Sequence, residues 1–297
     1  MDSEFFNEFP GLDKSTLKLI RRTLDSNFFE FSRSYGELIE NLLYPFQFLI
    51  DVSEAFFVDV PWIIVLATLT SICYYTTKHI KFTLTFLAIL SSIGFFGLWE
   101  DAMITLSIVI VSVCICVIIG IPTGILMSKH TRVRTFILPI LDFMQAIPSF
   151  VYLIPIIMLI GIGDLPGLIA ICVYAVPPII RFTDLGIREV DYGMIEAAKA
   201  MGLKPRHILI KIEIPLAYTS IFAGLNQTIM MALGMVVIAS MIGLQGLGAN
   251  VLTAITQQRL TIGLLNGLAI VCLAIILDRM TQYWCARLQK WKSVSNK

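Results

Sequence analysis

The chain predicts an all-α polytopic membrane protein, and three observations carry that reading. Its mean hydropathy is +0.83. Hydrophobic residues make up 57% of its 297 positions against 14% charged. The apolar residues gather in repeated runs of the roughly 17–25 residues that cross a bilayer as helix. A water-soluble fold would leave these runs nowhere to pack. The formal net charge of +1 lacks the basic excess of a phosphate-binding surface, so lipid is the expected partner and nucleic acid is not.

Taken in order, residues 1–60 form an N-terminal tail that opens on "MDSEFFNEFPGLDK", which is acidic and has no compact apolar core of a cleaved signal. Within it, 36–60 mixes apolar clusters with Glu37, Glu40, Asp51, Glu54 and Asp59, a composition that suits an amphipathic helix lying in the membrane interface. Seven apolar spans follow at about 61–77, 82–98, 102–127, 136–160, 165–182, 214–242 and 262–283. The count becomes eight if 41–58 also crosses. A basic tail, 283–297, closes the chain.

The charges between spans orient them. Lys78 and Lys81, then Lys129, Arg132 and Arg134, then the loop 183–213, then Arg287, Lys290, Lys292 and Lys297 fall on one side, while the opposite loops carry Glu100, Asp101 and Asp164. The positive-inside rule puts the 183–213 loop and the C-terminus in the cytoplasm and the N-terminus outside. Cys73, Cys114, Cys116, Cys172, Cys272 and Cys285 lie in or beside apolar segments without metal-site spacing and read as packing residues. His79, His130 and His207 fit no ligand or catalytic constellation, so no metal site and no catalytic residue is expected.

Residues 196–215, "EAAKAMGLKPRHILIKIEIP", are out of character with their surroundings: charged residues crowd a loop between two apolar spans. Tyr192 to Ala200 favour helix, Gly202 and Pro205 mark a break, and a second helix should lead to Pro215. Ala197, Ala198 and Met201 form a small apolar patch flanked by Glu196 and Lys199, suited to a groove on a soluble partner.

The spacing of Glu196-Ala197-Ala198, Gly202 and Ile212-Glu213-Ile214-Pro215 resembles the EAA signature of ATP-binding-cassette importer permeases, with Ile214 where that family usually has leucine. The resemblance implies a type I importer transmembrane fold, here over 99–282 with 61–98 as two additional helices. It makes 192–213 a coupling loop whose Glu196, Ala197, Ala198, Gly202 and Pro215 meet a cytoplasmic ATPase dimer. It further implies a second permease copy, an extracytoplasmic substrate-binding protein and residence in a bacterial or archaeal cytoplasmic membrane. No G-x-x-x-x-G-K-[ST] loop occurs in the chain; no cofactor is expected on it, and ATP would be used by the partner.

The stretches 137–157, 175–190, 225–248 and 267–282 look like the permeases of glycine betaine/proline betaine uptake systems, with choline, carnitine or another small solute as alternative cargo. A stand-alone secondary transporter is the rival class, and neither acidic relays nor inverted repeats are evident in the sequence to support it. Read without the family, Asp142, Gln145, Ser149 and Tyr152 recur at helical spacing as one polar stripe, and Asn226 and Gln227 sit mid-span. All six are candidates for a translocation path, with hydrogen bonding between helices an equal reading of the stripe. Arg181 with Asp184, and Asp278 with Arg279, read as anchors or structural pairs.

Overall fold

The computed structural model describes residues 12–295, and among these every regular element is a helix. Helix α1 (Lys14–Glu54) runs on through a wide π turn, Ala55–Asp59. It is followed by α2 (Trp62–Thr77), α3 (Ile80–Phe95) and α4 (Trp99–Lys129). Next come α5 (Thr131–Ala146), a 3-10 turn (Ser149–Tyr152), α6 (Leu153–Ile160) and α7 (Asp164–Arg188). The loop contributes α8 (Tyr192–Ala200) and α9 (Pro205–Ile208), then a π turn (Leu209–Glu213) and α10 (Ile214–Leu216). The chain closes with α11 (Tyr218–Ala239), α12 (Leu247–Thr256) and α13 (Leu260–Ser295).

All seven predicted apolar segments are helical, but they are not seven equal spans. Four helices, α4, α7, α11 and α13, are long and apolar enough to cross alone. Residues 131–146 with 149–160, and 41–59 with 62–77, form pairs bent by 107° and 109°, which gives six spans if each pair counts once. Both bends have the same cause. Ile147 and Val60 each precede a proline and are extended, at ψ 130° and 140°, because the proline ring disfavours helical backbone in the residue before it. Helix α3 has 16 residues, about 24 Å of rise, less than the ~30 Å of a hydrocarbon core.

Helix α1 is one continuous element rather than a tail with a separate 36–60 segment. Its Ser32 hydroxyl donates to the Met158 carbonyl, Ile50 is buried among Ile108 and Val109 of α4, and Phe57 packs with Ala102, Met103 and Leu106. It therefore lies over α6 and the first half of α4. Residues 1–11 of the predicted tail, and the end of the basic tail at 296–297, fall outside the described residues.

The core is α7 held between α4 and α11. Apolar side chains alone would not choose this arrangement in lipid, where helix association depends on close packing and small residues. A Cβ built on Gly124 of α4 would stand 2.6 Å from Thr183 Cβ and 2.7 Å from the Ile180 carbonyl oxygen of α7. One on Gly224 of α11 would stand 2.7 Å from Phe182 Cβ and 3.2 Å from Ile179 Cα on the other side of α7. Ile171, Ile179, Leu233 and Met235 fill the space around these contacts.

Gly124→Leu should cost about 1–3 kcal/mol by overpacking, because the Ile180 carbonyl oxygen facing it is backbone and cannot turn away. Thermal unfolding of the detergent-solubilised protein should show a lowered Tm, while Gly234→Ala, where a Cβ meets nothing within 4 Å, should leave Tm unchanged or raised.

Candidate functional site

The loop between α7 and α11 folds as its residue types require. The Asp191 side chain accepts from Gly193 N at 2.9 Å and caps α8. At the other end Gly202 has φ +76°, Gly202 N donates to Lys199 O at 2.9 Å, and Leu203 N donates to Ala198 O at 3.1 Å. This pair of bonds around a left-handed glycine is a Schellman closure, and it satisfies carbonyls that the helix end would leave unpaired. A side chain at Gly202 would meet no atom within 4 Å, so the position demands glycine for its backbone conformation alone.

The expected apolar patch divides in two. Ala198 is 3% exposed and turns inward, whereas Glu196 and Ala197 are exposed and Met201 is 80% exposed. The outward surface is completed by Tyr192 and Met194, both exposed apolar residues that the sequence argument passed over. A methionine-bearing face suits an adaptable contact with a partner. Pro215 does not join it. It lies beyond the π turn Leu209–Glu213, near the start of α11, and lacks the N–H that would bond back to Lys211, which lets the helix widen there.

Beneath α8 a cavity of about 700 Å³ is lined by Lys129, Ile195, Lys199, Leu203, Arg206 and Glu213, among others. Glu213 is 4% exposed and forms an ion pair with Lys129, the last residue of α4. A buried carboxylate without a partner is strongly destabilising, so this pair ties the return of the loop to α4. The sequence offered one signal for it, a carboxylate inside the apolar Ile212-Glu213-Ile214-Pro215 ending.

The candidate path residues separate. The break at Pro148 removes the single helical stripe: Asp142 and Gln145 stay on α5, while Ser149 and Tyr152 lie in the 3-10 turn beyond it. Tyr152 folds back, its hydroxyl donating to the Met144 carbonyl, and its ring meets Tyr174 edge-on at 6.4 Å between centroids. Asn226 is taken up by contacts between α11 and α13: its amide donates to Asp278 and its oxygen accepts from Thr281. Gln227 is exposed. Arg181 does not pair with Asp184. Asp184 instead accepts from Arg134 Nε at 3.0 Å, and Arg181 reaches Asp142.

At the end of the bundle opposite the loop, the segment 240–256 is pinned by hydrogen bonds to α4 and to the start of α7. Gly163 N donates to Ile242 O at 2.9 Å, Leu247 N to Thr105 Oγ1 at 2.9 Å and Asn250 Nδ2 to Asp101 Oδ2 at 2.6 Å. The glycines there permit close approach: a Cβ on Gly246 would stand 2.5 Å from Thr105 Oγ1.

A helical core with four helices long and apolar enough to cross a membrane, and a structured loop between two of them, is the architecture of a multi-pass membrane protein. The match to known proteins makes the assignment specific: residues 116–290 fit the family described as binding-protein-dependent transport system inner membrane component, and the chain belongs to that family. It is 49% identical over 193 residues to the glycine betaine/proline betaine transport system permease protein ProW of Escherichia coli strain K12, covering 65% of this chain and 54% of that one. To the glycine betaine transport system permease protein OpuAB of Bacillus subtilis strain 168 it is 47% identical, over 64% of this chain and 67% of the relative. To the glycine betaine/carnitine transport permease protein GbuB of Listeria monocytogenes it is 42% identical, over 75% and 79%. The match thus spans about half the length of ProW. A chain of the inward-facing MetNI methionine ABC transporter superposes with a TM-score of 0.53 at 24% identity, covering 64% of this chain and 94% of that one, so the two chains share a fold.

Lys129→Met should lower Tm by stranding Glu213, at a cost near 3 kcal/mol; this is the low end for a buried pair because the Lys129 side chain is itself 37% exposed. Adding Glu213→Gln should recover most of the loss, and a double-mutant cycle by thermal unfolding measures it.

Proposed function

We propose that this chain is the membrane-spanning permease subunit of an ATP-driven importer for small quaternary-ammonium osmolytes such as glycine betaine and proline betaine. The carrying observation is the loop: a capped helix, α8, closed at Gly202 and presenting Glu196, Ala197, Met194 and Met201 outward, in a chain that is close to half identical to betaine permeases over most of its helical core. In this reading two copies of the chain pair in the membrane, each seating α8 in one of two cytoplasmic ATPases, and closure of the ATPases moves the bundle between inward-open and outward-open states. The loop and the C-terminus face the cytoplasm, the N-terminus faces outward, and a binding protein delivers the solute at the outer side. The chain itself carries no cofactor and hydrolyses no ATP.

The cargo reading is supported by the range of relatives. Those named for glycine betaine, for carnitine and for trimethylamine N-oxide are named for solutes that share a trimethylated nitrogen and a negative oxygen. Choline, carnitine or another small solute is the alternative cargo for this chain.

The test is copurification with the ATPase and delivery protein, reconstitution in liposomes, and ATP-dependent uptake of labelled glycine betaine with choline and carnitine as competitors. Uptake requiring both ATP and the delivery protein supports the proposal; uptake by the chain alone would make it a secondary transporter. Gly202→Val forces a β-branched residue into left-handed backbone at a cost of about 1–2 kcal/mol. ATPase retention and uptake should both fall several-fold, whereas Gly202→Asn, which tolerates that conformation, should keep most of each.

A further inference from the structure

Two ion pairs join α5 to α7, and their surroundings differ. In Arg134–Asp184 the carboxylate side chain is 5% exposed, so the pair is a buried strut. In Arg181–Asp142 the carboxylate is 65% exposed and the arginine 32%. At a rise of about 1.5 Å per residue, Arg181 lies about 11 Å from the middle of the apolar span 165–182, toward its loop end and still within a hydrocarbon half-thickness of about 15 Å. Charges at that depth face protein or water, not lipid. An open pair there therefore belongs to a water-filled passage or to the face between two copies.

From this geometry we infer that Arg181 and Asp142 form a transit site for a zwitterion, Arg181 taking its carboxylate and Asp142 its quaternary ammonium. The inference rests on the importer reading above and narrows it. The chemistry matches on three counts. The pair is neutral in sum, as a zwitterion is, so occupancy leaves no net charge buried. The guanidinium is a planar fork able to hold a carboxylate by two parallel bonds, and one of its Nη atoms reaches Asp142 while its Nε, sheltered from solvent, has no partner among the described residues. Gln145, exposed on α5 three residues from Asp142 and so on the same helix face, adds a polar amide.

The resting pair also explains why such a site would be weak. Entry of the zwitterion exchanges one internal ion pair for two external ones, and departure restores the internal pair, so neither charge is stranded at either step. The net gain is small, as transit requires. A cation without a carboxylate, such as choline, would take Asp142 and leave Arg181 unpaired, so the site discriminates against it.

The experiment compares the reconstituted complex carrying the natural chain with complexes carrying Arg181→Gln and the double variant Asp142→Asn with Arg181→Gln. Measured in each are Tm, ATPase activity stimulated by the delivery protein, and betaine uptake. A purely structural pair predicts that the double variant, having no stranded charge, transports betaine at the natural rate. The transit site predicts at least about a tenfold loss of uptake in both variants, with Tm of the double variant and its ATPase stimulation preserved. Natural-rate uptake by the double variant overturns the inference and leaves the importer reading intact. If the natural complex hydrolyses ATP but carries no betaine, the cargo reading falls and this inference falls with it.

Discussion

The close approach of α7 to α4 on one side and to α11 on the other is the constraint on which the rest of the molecule depends. In lipid the apolar side chains have no water to escape, so the contact must come from shape. Gly124 and Gly224 supply it by letting backbone approach where any side chain would collide with α7. Much of the bundle then hangs on α7: it leads into the α8 loop at one end, its Asp164 carboxylate accepts from Gln245 N at 3.3 Å at the other, and along its length it carries Arg181 and Asp184. A displacement of α8 is therefore delivered to a packed unit and not to a single helix.

The breaks in the helices are as informative as the helices. A bilayer tolerates irregular backbone only where protein or water satisfies it. Here the interruptions fall at Pro61, at Pro148 and around Pro215, and each has a local answer. Val60 and Ile147 turn extended before their prolines, the Tyr152 hydroxyl reaches back across the Pro148 bend to the Met144 carbonyl, and the Ala217 N–H bonds to Glu213 O at 2.9 Å as the helix resumes after Pro215. The Lys129–Glu213 pair sits where the loop returns to the bundle, so one widened turn and one ion pair connect the loop to α4.

Much of this was legible in the sequence. Hydropathy placed the long apolar helices, though not the short apolar α12, and the loop's helix, break and second helix were readable from Tyr192–Ala200, Gly202 and Pro205, because capping and left-handed glycine are local effects. What was not legible is long-range. A helical stripe through Asp142, Gln145, Ser149 and Tyr152 presumes an unbroken helix, and the extended residue before Pro148 breaks it. The pairing of Arg181 follows from which helices cross, so proximity in sequence to Asp184 misled, and the true partner lies on α5. Ala198 looked like its neighbour Ala197, yet one faces the bundle and the other does not, a difference set by the rotation of α8. One of the seven predicted spans, 82–98, is the 16-residue α3, shorter than a hydrocarbon core, and the right-angled bend inside 136–160 is one that length and apolarity do not report.

The central claim is that the outward face of α8 meets the ATPase. The most direct measurement is site-specific photo-cross-linking in the copurified complex, with a probe attached to single cysteines placed in turn at Met194, Met201, Ala198 and, as a remote control, Met241, in a background without the native cysteines. The account predicts adducts to the ATPase from Met194→Cys and Met201→Cys, which are exposed, and none from Ala198→Cys, which is buried, or from Met241→Cys at the opposite end. Adducts at Met241 with none at Met194 or Met201 would contradict it.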